Sequence, residues 1–447
     1  MVEPIISVSG LRGVVGSSLT PEVAVRYVAA FERGLAPGPV VVARDGRRSG
    51  MMLAWAVEAA LAAAGRQVLD AGAAATPTVG VLVRHHRAAG AVQITASHNP
   101  PEYNGLKLMA AEGRVIPAGP GERVLERYRQ GVACWAPHDR LGAIEPLAET
   151  TAAHLDLLLA TVDAPRLRSY GFSVLLDANH GAGGLLGRRL LEALGCRVTL
   201  LGETPDGRFE HPAEPTAENL QSVLAEVPKG GAAVGFCQDP DADRLAVVDE
   251  KGRYLGEEYT LALCLDHVLR HRQGAVVTNC ATSRINEDLA ERFGRPFFRA
   301  AVGEANVVDA MLAQDACFGG EGNGGPIDPR VGMIRDSFVG MAQILDAMAA
   351  RRLPVSALAA ELPRYEIVKT KIALVPEKVP AGLKALQQHF AAARSDWLDG
   401  LRLDWPDRWL LVRASNTEPI VRAIAEAATA DEARNLCDQA AAVLAEA

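Results

Sequence analysis

The chain has 447 residues, of which 49% are hydrophobic and 22% charged, and its formal net charge is −8. This composition is that of a globular protein with several domains, and the negative charge argues against a general nucleic-acid or membrane-surface binder. The seven cysteines are scattered without a Cys-x-x-Cys pair, which argues against a disulfide framework and a zinc site. No signal-peptide pattern and no apolar run of about 18 residues occur, so we expect a cytoplasmic protein without a membrane partner.

Strand and helix patterns alternate along the chain up to about residue 366. PVVVARDGRRSG predicts a strand and a turn, MMLAWAVEAALAAAG a helix that ends at Gly65, and AVQITAS a further strand. The alternation recurs in SVLLDANHGAGG with LLGRRLLEALG, and again in GAVVTNCAT with SRINEDLAERFG. Three such units predict three similar α/β domains with helices on mixed, mostly parallel sheets.

The spacing changes in the last part of the chain. VKTKIALVP precedes a helix pattern, AGLKALQQHFAAAR, and the strand patterns LRLDW, RWLLVRAS and IVRAIAEA follow in quick succession before a helix from Ala430. Closely spaced strands favour an antiparallel sheet, here covered by two helices. We therefore predict an α/β protein of four domains around a central cleft, over residues 1–150, 151–250, 251–366 and 367–447.

The stretch QITASHNPPEYNGLK places a serine in a polar, stiff turn directly after a strand pattern. Ser97 ends the strand, and Pro100 and Pro101 restrict the loop that follows. The stretch is either an ordinary loop or one that presents the Ser97 hydroxyl to a ligand. His98 is too close in sequence to form a Ser–His dyad with it, which argues against a serine hydrolase.

Three aspartates alternate in the stretch CQDPDADRLAVVDE. Asp239, Asp241 and Asp243 can converge on one hard cation, Mg²⁺ or Ca²⁺, from an extended loop. An EF-hand is excluded, because Arg244 stands where that loop needs a glycine, although Glu250 falls at its twelfth position. A solvated turn is the remaining alternative.

A glycine-rich stretch, GGEGNGG, carries one carboxylate and one amide. The side chains of Glu321 and Asn323 suit sugar hydroxyls, and the glycines let a ligand approach the backbone closely. A flexible surface turn explains this stretch equally well.

The stretch VRASNTEPIVR lies between two predicted strands of the last domain. A guanidinium with hydroxyl, amide and backbone N–H groups forms a plausible phosphate clamp. Its candidate residues are Arg413, Ser415, Asn416 and Thr417. An ordinary turn is the alternative.

The four stretches follow predicted strands in four different domains, and such strand ends commonly line a ligand cleft. A nucleophile, a metal loop, a hydroxyl-binding loop and a phosphate clamp together describe phosphoryl transfer on a sugar. TASHNP, DPDADR, GEGNGG and RASNTEP occur in the order and at the spacing of the α-D-phosphohexomutase family, which the chain resembles over essentially its whole length. The resemblance implies three similar α/β domains, a smaller α+β domain and a phosphosugar substrate.

The resemblance also implies roles for the first two motifs. Ser97 would carry a phosphoryl group in the active form and contribute to the metal site. Asp239, Asp241 and Asp243 would bind one Mg²⁺, which reverses the repulsion between three carboxylates and a phosphorylated substrate. A hexose 1,6-bisphosphate is the implied activator.

Three basic residues match further positions of the family. Arg244 would stabilise charge on the transferred phosphoryl group, and Arg12 in SGLRGVVG would contact phosphate. Lys107 matches a lysine assigned to proton transfer, for which cationic neighbours would lower its pKa. A solvated strand lysine is the alternative reading of Lys107.

The sugar loop departs from many family members, which have serine and histidine where this chain has Asn323 and Gly325. Together with DPDADR, it resembles the archaeal-type branch assigned as phosphoglucosamine mutase, to which phosphomannomutase and phosphoglucomutase activities are also attributed. Residues 302–311 resemble the segment that faces the sugar. We therefore expect interconversion of glucosamine 1- and 6-phosphate, with mannose or glucose phosphates as the alternative. A sugar phosphatase and a non-catalytic sugar-phosphate-binding protein are more remote alternatives.

Overall fold

A computed structural model of the chain describes residues 3–7, 10–414 and 420–446. Its strands form four separate sheets, one for each of four domains. The first three sheets are mixed and the fourth is antiparallel, which confirms the predicted architecture. In the described part of the chain, no helix has the length and apolar character needed to cross a membrane.

The first domain contains a seven-stranded sheet. Its strands are β1 (Ile5–Ser7), β2 (Gly10–Val14), β3 (Val40–Arg44), β4 (Val68–Ala73), β5 (Gly90–Ile94), β6 (Tyr103–Ala110) and β7 (Ile144–Pro146). Its helices are α1 (Pro21–Glu32), α2 (Gly50–Ala63), α3 (Thr76–His85) and α4 (Ala118–Arg129). In the sheet order β1-β2-β6-β5-β3-β4-β7, the pairings from β5 to β7 are parallel and those from β1 to β5 antiparallel.

The second domain repeats the pattern with four strands. They are β8 (Ser173–Asp177), β9 (Arg197–Leu201), β10 (Val234–Gln238) and β11 (Leu245–Asp249), in the order β11-β10-β8-β9. The helices are α5 (Ala152–Leu159), α6 (Ala164–Tyr170), α7 (Gly184–Ala193) and α8 (Gln221–Lys229). β8, β9 and β10 are parallel, and β11 pairs antiparallel with β10.

The third domain has the same arrangement. Its strands are β12 (Val276–Asn279), β13 (Phe297–Ala300), β14 (Phe318–Glu321) and β15 (Gly325–Ile327), in the order β13-β12-β14-β15. Its helices are α9 (Glu257–Leu269), α10 (Ile285–Arg292), α11 (Glu304–Ala313), α12 (Ser337–Arg351) and α13 (Val355–Ala360).

Helix α12 is buried on every face over most of its length, as expected of a helix inside a large core. Asp336 caps its N-terminus by accepting hydrogen bonds from the backbone N–H groups of Phe338 and Val339. One apolar core continues across the second and third domains around this helix and includes Phe236 and Phe318. The two domains are therefore packed as one body.

The fourth domain is an antiparallel sheet covered by helices. Its strands are β16 (Glu366–Ala373), β17 (Arg394–Asp396), β18 (Leu401–Asp404), β19 (Trp409–Ala414) and β20 (Ile420–Ala427), in the order β16-β20-β19-β18-β17. The helices are α14 (Val379–His389) and α15 (Ala430–Glu446). Single 3₁₀ turns lie at His138–Arg140 in the first domain and Pro376–Lys378 in the fourth.

Three of the four candidate loops occupy equivalent positions in their domains. The serine loop joins β5 to β6, the metal loop β10 to β11 and the sugar loop β14 to β15, each pair being antiparallel neighbours. In each of these domains the first strand of the pair also has a parallel neighbour, so the loop leaves the carboxyl end of the parallel part of the sheet. The stretch between β19 and β20 corresponds to the predicted phosphate loop.

Candidate active site

Ser97 is held in a conformation that presents its side chain to the second domain. Its φ is +49°, in the left-handed region that residues other than glycine seldom adopt. Its backbone N–H donates to Thr95 Oγ1 at 2.8 Å, and its Oγ donates to Asp239 Oδ2 at 2.7 Å. The serine loop and the metal loop are therefore in direct contact.

Arg47, in the turn after β3, stabilises the serine loop through hydrogen bonds to its backbone. Its guanidinium donates to four carbonyl oxygens at 2.6 to 2.9 Å, those of Ser97, Asn99, Pro100 and Tyr103. Asp45 Oδ2 lies 3.2 Å from Arg47 Nε and also accepts a hydrogen bond from Thr95 Oγ1 at 2.7 Å. The side chains of Arg47, Asp45 and Thr95 are all buried. Sequence reasoning missed Arg47, although RDGRRSG also follows a predicted strand.

The structure brings the three predicted metal-binding aspartates together. Asp239, Asp241 and Asp243 are fully buried, and one carboxylate oxygen of each lies within 4.8 Å of the others. Among the described residues, Asp241 Oδ1 and Asp243 Oδ1 have no hydrogen-bond partner. Burial, with the neighbouring carboxylates, raises the pKa of Asp239 well above its ordinary value. These residues fit a hard divalent cation, because it would pair with the open oxygens and offset the repulsion.

Lys107 contacts two of these aspartates. Its Nζ donates to Asp241 Oδ2 at 2.9 Å and to Asp243 Oδ2 at 2.8 Å. Burial acts to lower the pKa of Lys107, but the two carboxylates raise it above its ordinary value. The expectation that cationic neighbours lower the pKa of Lys107 is therefore wrong, because its nearest charged partners are carboxylates. The alternative of a solvated lysine is also wrong, since Lys107 is a paired ammonium ion at the site. Its proton transfer stays a prediction.

Arg335 connects the metal loop to the sugar loop and was also missed from the sequence. Its Nη2 donates to Asp243 Oδ2 at 2.7 Å, and its Nη1 lies 3.0 Å from Glu321 Oε2. Its Nε lies 3.4 Å from Glu304 Oε2. Burial opposes the charge on Arg335, but these carboxylates raise its pKa well above its ordinary value.

A cleft of about 600 Å³ lies beside these loops, and all four domains line it. The predicted residues on its surface are Arg244, Glu321, Asn323 and Arg413, with His98 from the serine loop. The pKa of His98 is lowered to about 2 by the positive charge of Arg244, by burial and by the positive charge of Arg12, so His98 is neutral. Arg12 Nη1 donates to Asn99 Oδ1 at 2.9 Å, which places Arg12 against the serine loop.

The sugar loop is fixed by its neighbours. Glu321 Oε1 accepts hydrogen bonds from Asn279 Nδ2 at 2.7 Å and from the backbone N–H of Gly303 at 3.1 Å. Asn323 Oδ1 is buried and has no partner among the described residues, so it can accept a hydrogen bond from a ligand.

The fourth domain contributes a group of basic side chains to the cleft. They are Lys369, Lys371, Arg413 and Arg422. Arg413 Nε lies 2.9 Å from Asp399 Oδ2, which also accepts from the backbone N–H of Val302 at 3.0 Å. The other predicted clamp residues, Ser415, Asn416 and Thr417, lie outside the described residues. A chain of net negative charge thus presents cations where an anionic substrate would bind.

Comparisons with known proteins agree with this arrangement. The family models for phosphoglucomutase/phosphomannomutase α/β/α domains I, II and III match residues 5–131, 152–252 and 257–365, and the C-terminal domain model matches residues 370–443. The phosphoglucomutase/phosphomannomutase of Thermococcus kodakarensis is 36% identical over 95% of each chain. The probable phosphoglucosamine mutase of Methanopyrus kandleri is 33% identical over 96% of this chain and 95% of its own.

Solved structures show the same fold. The crystal structure of a phosphoglucomutase/phosphomannomutase family protein from Burkholderia thailandensis superposes with a TM-score of 0.85 and 28% identity, over 98% of each chain. The resemblance found in the sequence is thereby confirmed. The chain belongs to the phosphoglucomutase/phosphomannomutase family, whose members are phosphohexomutases and therefore isomerases.

Proposed function

We propose that this protein interconverts glucosamine 6-phosphate and glucosamine 1-phosphate through a phosphorylated Ser97 and a 1,6-bisphosphate intermediate. The observation that carries the proposal is the 2.7 Å contact between Ser97 Oγ and Asp239 Oδ2, beside a cleft lined by all four domains. A buried serine next to three converging carboxylates suits a phosphoryl carrier at a metal site.

The proposed reaction consists of two transfers of opposite direction. Phospho-Ser97 would give its phosphoryl group to the free hydroxyl of the hexose phosphate: the bond from phosphorus to the serine oxygen breaks and a bond to the sugar oxygen forms. The sugar hydroxyl gives its proton to a base, and the released Ser97 oxygen takes up a proton. The bisphosphate then turns round in the cleft. Ser97 Oγ would next take the other phosphoryl group: the bond from phosphorus to the second sugar oxygen breaks and a bond to Oγ forms. Oγ loses its proton and the sugar oxygen takes one up, so the product leaves and the phosphoserine is restored.

The side chains around Ser97 have distinct proposed roles. Asp239, Asp241 and Asp243 would hold one Mg²⁺ together with an oxygen at Ser97, and the bound ion would neutralise charge on the phosphoryl group. Arg244 would stabilise the charge that shifts during transfer. Such chemistry depends on positioning and charge stabilisation more than on covalent activation by the protein.

Substrate binding would involve the other two loops. In addition, Arg12 on β2 of the first domain would contact a phosphate group of the substrate. Arg413 would hold whichever phosphate is not reacting, so both transfers could share one metal site, with Ser415, Asn416 and Thr417 as its proposed partners. Glu321 and Asn323 would bind sugar hydroxyls.

Lys107 is the proposed acceptor of the proton of the attacking hydroxyl. It would first have to become a neutral amine, because its ammonium is paired with Asp241 and Asp243. A Mg²⁺ ion held by these two carboxylates would favour the neutral amine.

Two observations support glucosamine as the sugar. Relatives named probable phosphoglucosamine mutase cover most of the chain. Carboxylates also line the cleft at Glu214, Glu257 and Glu258, and they suit the ammonium group of glucosamine. The Thermococcus kodakarensis relative named phosphoglucomutase/phosphomannomutase supports the alternative, the same mechanism on glucose or mannose phosphates.

Initial rates with Mg²⁺ test this proposal. The substrates are the 1-phosphates of glucosamine, glucose and mannose, each primed with the matching bisphosphate. We expect the highest kcat/KM for glucosamine 1-phosphate. Comparable or higher kcat/KM values for glucose 1-phosphate and mannose 1-phosphate would refute glucosamine as the preferred sugar and leave the proposed mechanism unchanged. Net release of inorganic phosphate would indicate a sugar phosphatase. Tight binding of the sugar phosphates without turnover would indicate a non-catalytic sugar-phosphate-binding protein.

A further inference from the structure

A buried hydrogen-bonded series outside the cleft connects three domains. Thr78 Oγ1 of helix α3 lies 3.0 Å from His154 Nδ1 of helix α5, and His154 Nε2 lies 2.8 Å from Asp336 Oδ2 at the start of helix α12. The exposed fractions of Thr78, His154 and Asp336 are 1%, 0% and 1%. The order of groups is that of a hydrolase triad, but no substrate can reach side chains buried to this degree.

The hydrogen-bonding roles in this series are fixed by Asp336. Its Oδ1 accepts from two backbone N–H groups of α12, so the carboxylate acts only as an acceptor. His154 Nε2 therefore donates to Asp336 Oδ2, and Nδ1 forms the hydrogen bond with the Thr78 hydroxyl. Both ring nitrogens of His154 are satisfied.

Both ends of the series lead to the metal loop. Two residues before Thr78, Thr76 donates from Oγ1 to Asp241 Oδ2 at 2.6 Å and from its backbone N–H to Asp241 O at 2.9 Å. At the other end, Arg335 directly precedes Asp336 and donates to Asp243 Oδ2 at 2.7 Å.

The residue after Asp336 reinforces this end. Ser337 Oγ donates to the carbonyl of Ala242 at 2.7 Å, and Ala242 lies between Asp241 and Asp243 with a φ of +56°. Residues on both sides of Asp336 thus hold the metal loop.

We propose that His154 is a positioning residue for the metal site. His154 of α5 bonds to Thr78 of α3 on one side and to Asp336 at the start of α12 on the other. Helix α3 bonds to Asp241 through Thr76, and Arg335, next to Asp336, bonds to Asp243. These hydrogen bonds close a ring through the metal loop. By fixing α3 against α12, His154 sets the separation of two metal-binding carboxylates without touching either. This inference rests on the proposed metal site.

The test measures metal binding directly, with Mn²⁺ as the probe and the purified full chain. Free Mn²⁺ is followed by its electron paramagnetic resonance signal. His154→Leu removes both hydrogen bonds, and we expect the Kd for Mn²⁺ to rise about 10-fold, as for other supports of metal ligands. Thr78→Val opens the ring at one link with little change in volume, and we expect an increase in the same direction. If His154→Leu does not fold, Thr78→Val decides the question.

A matched control is His267 of helix α9, whose carboxylate partner lies further along helix α12. His267 is 4% exposed, and its Nε2 lies 3.0 Å from Asp346 Oδ2 of α12. Its Nδ1 has no hydrogen-bond partner among the described residues, so its ring has no hydrogen-bonded connection to the metal loop there. His267→Leu should lower the melting temperature and leave the Kd for Mn²⁺ unchanged.

Two outcomes would overturn the role of His154 alone: wild-type Mn²⁺ affinity in both ring variants, or an equal loss in His267→Leu. Failure of the wild type to bind Mn²⁺ would instead overturn the proposed metal site, and this inference with it.

Discussion

The Ser97 hydroxyl donates a hydrogen bond to Asp239 Oδ2 at 2.7 Å across a sequence separation of 142 residues. The contact joins the end of β5 in the first domain to the end of β10 in the second. The proposed phosphoryl carrier and the proposed metal ligands therefore depend on how two domains are docked.

Replacement of Ser97 by alanine tests the carrier. We expect Ser97→Ala to lower kcat at least about 10³-fold, because the proposed phosphoryl carrier is lost. Intact mass after incubation with glucose 1,6-bisphosphate should show one phosphoryl group on the wild type and none on the variant. Ser169→Ala, at an exposed serine, should behave as the wild type. Unchanged turnover of Ser97→Ala would refute the mechanism.

Asp241→Asn tests the metal loop. The amide keeps an oxygen that can accept from Thr76 but removes the negative charge that a hard cation needs. The Mg²⁺ concentration for half-maximal activity should rise at least about 10-fold, and the Kd for Mn²⁺ should rise with it. Asp139→Asn, at an exposed carboxylate of the first domain, is the control. Unchanged metal affinity would contradict the assignment.

Arg47→Lys tests the support of the serine loop. Lysine keeps the positive charge next to Asp45, but a single ammonium cannot donate to four carbonyl oxygens at the positions the guanidinium reaches. We expect kcat/KM to fall about 10²-fold, because the nucleophile is displaced, with slower phosphorylation of Ser97 by the bisphosphate. The neighbouring, exposed Arg48→Lys serves as the control. Wild-type kcat/KM in Arg47→Lys would show that the loop holds its shape without the guanidinium.

Glu258→Gln tests a pH dependence of stability. Burial raises the pKa of Glu258 from 4.5 to about 7. The folded state then binds more protons than the unfolded state between these values, so this group lowers the free energy of unfolding as pH rises through them, by up to about 3 kcal/mol. Glutamine removes this loss and can still accept from the Ser283 backbone N–H that Glu258 binds at 3.0 Å.

Melting temperatures between pH 5 and pH 8 provide the measurement for Glu258. The melting temperature of Glu258→Gln relative to the wild type should increase with pH across this window. Glu192→Gln, at an exposed glutamate of α7, should show no such trend. A constant difference for Glu258→Gln would contradict the expected effect of burial.

The sequence predicted those features whose signals are local. Glycine junctions and periodicity located the α/β units, and helix α15 begins at Ala430 as predicted. The candidate loops were found because turn-forming and chemically active residues directly follow strand patterns. β17, with three residues, is too short to produce a periodic pattern.

The residues that sequence reasoning missed act through contacts with residues far away in the sequence. Arg47 is one of several arginines near a turn until its contacts with the serine loop are seen, and Arg335 has partners in two other loops. His154 lies on a short helix whose pattern indicates only burial. No local signal identifies such residues, because their function depends on distances between segments that only the folded chain brings together.

The ring through Thr78, His154 and Asp336 has a consequence for the biogenesis of the enzyme. Arg335 and Asp336 belong to the third domain, so during synthesis the metal loop of the second domain emerges before the residues that complete its surroundings. N-terminal domains generally fold first on the ribosome. A nascent or truncated chain lacking the third domain would therefore have Asp239, Asp241 and Asp243 but not their full support. Metal loading and the first phosphorylation of Ser97 would thus mark the point at which three domains have docked correctly.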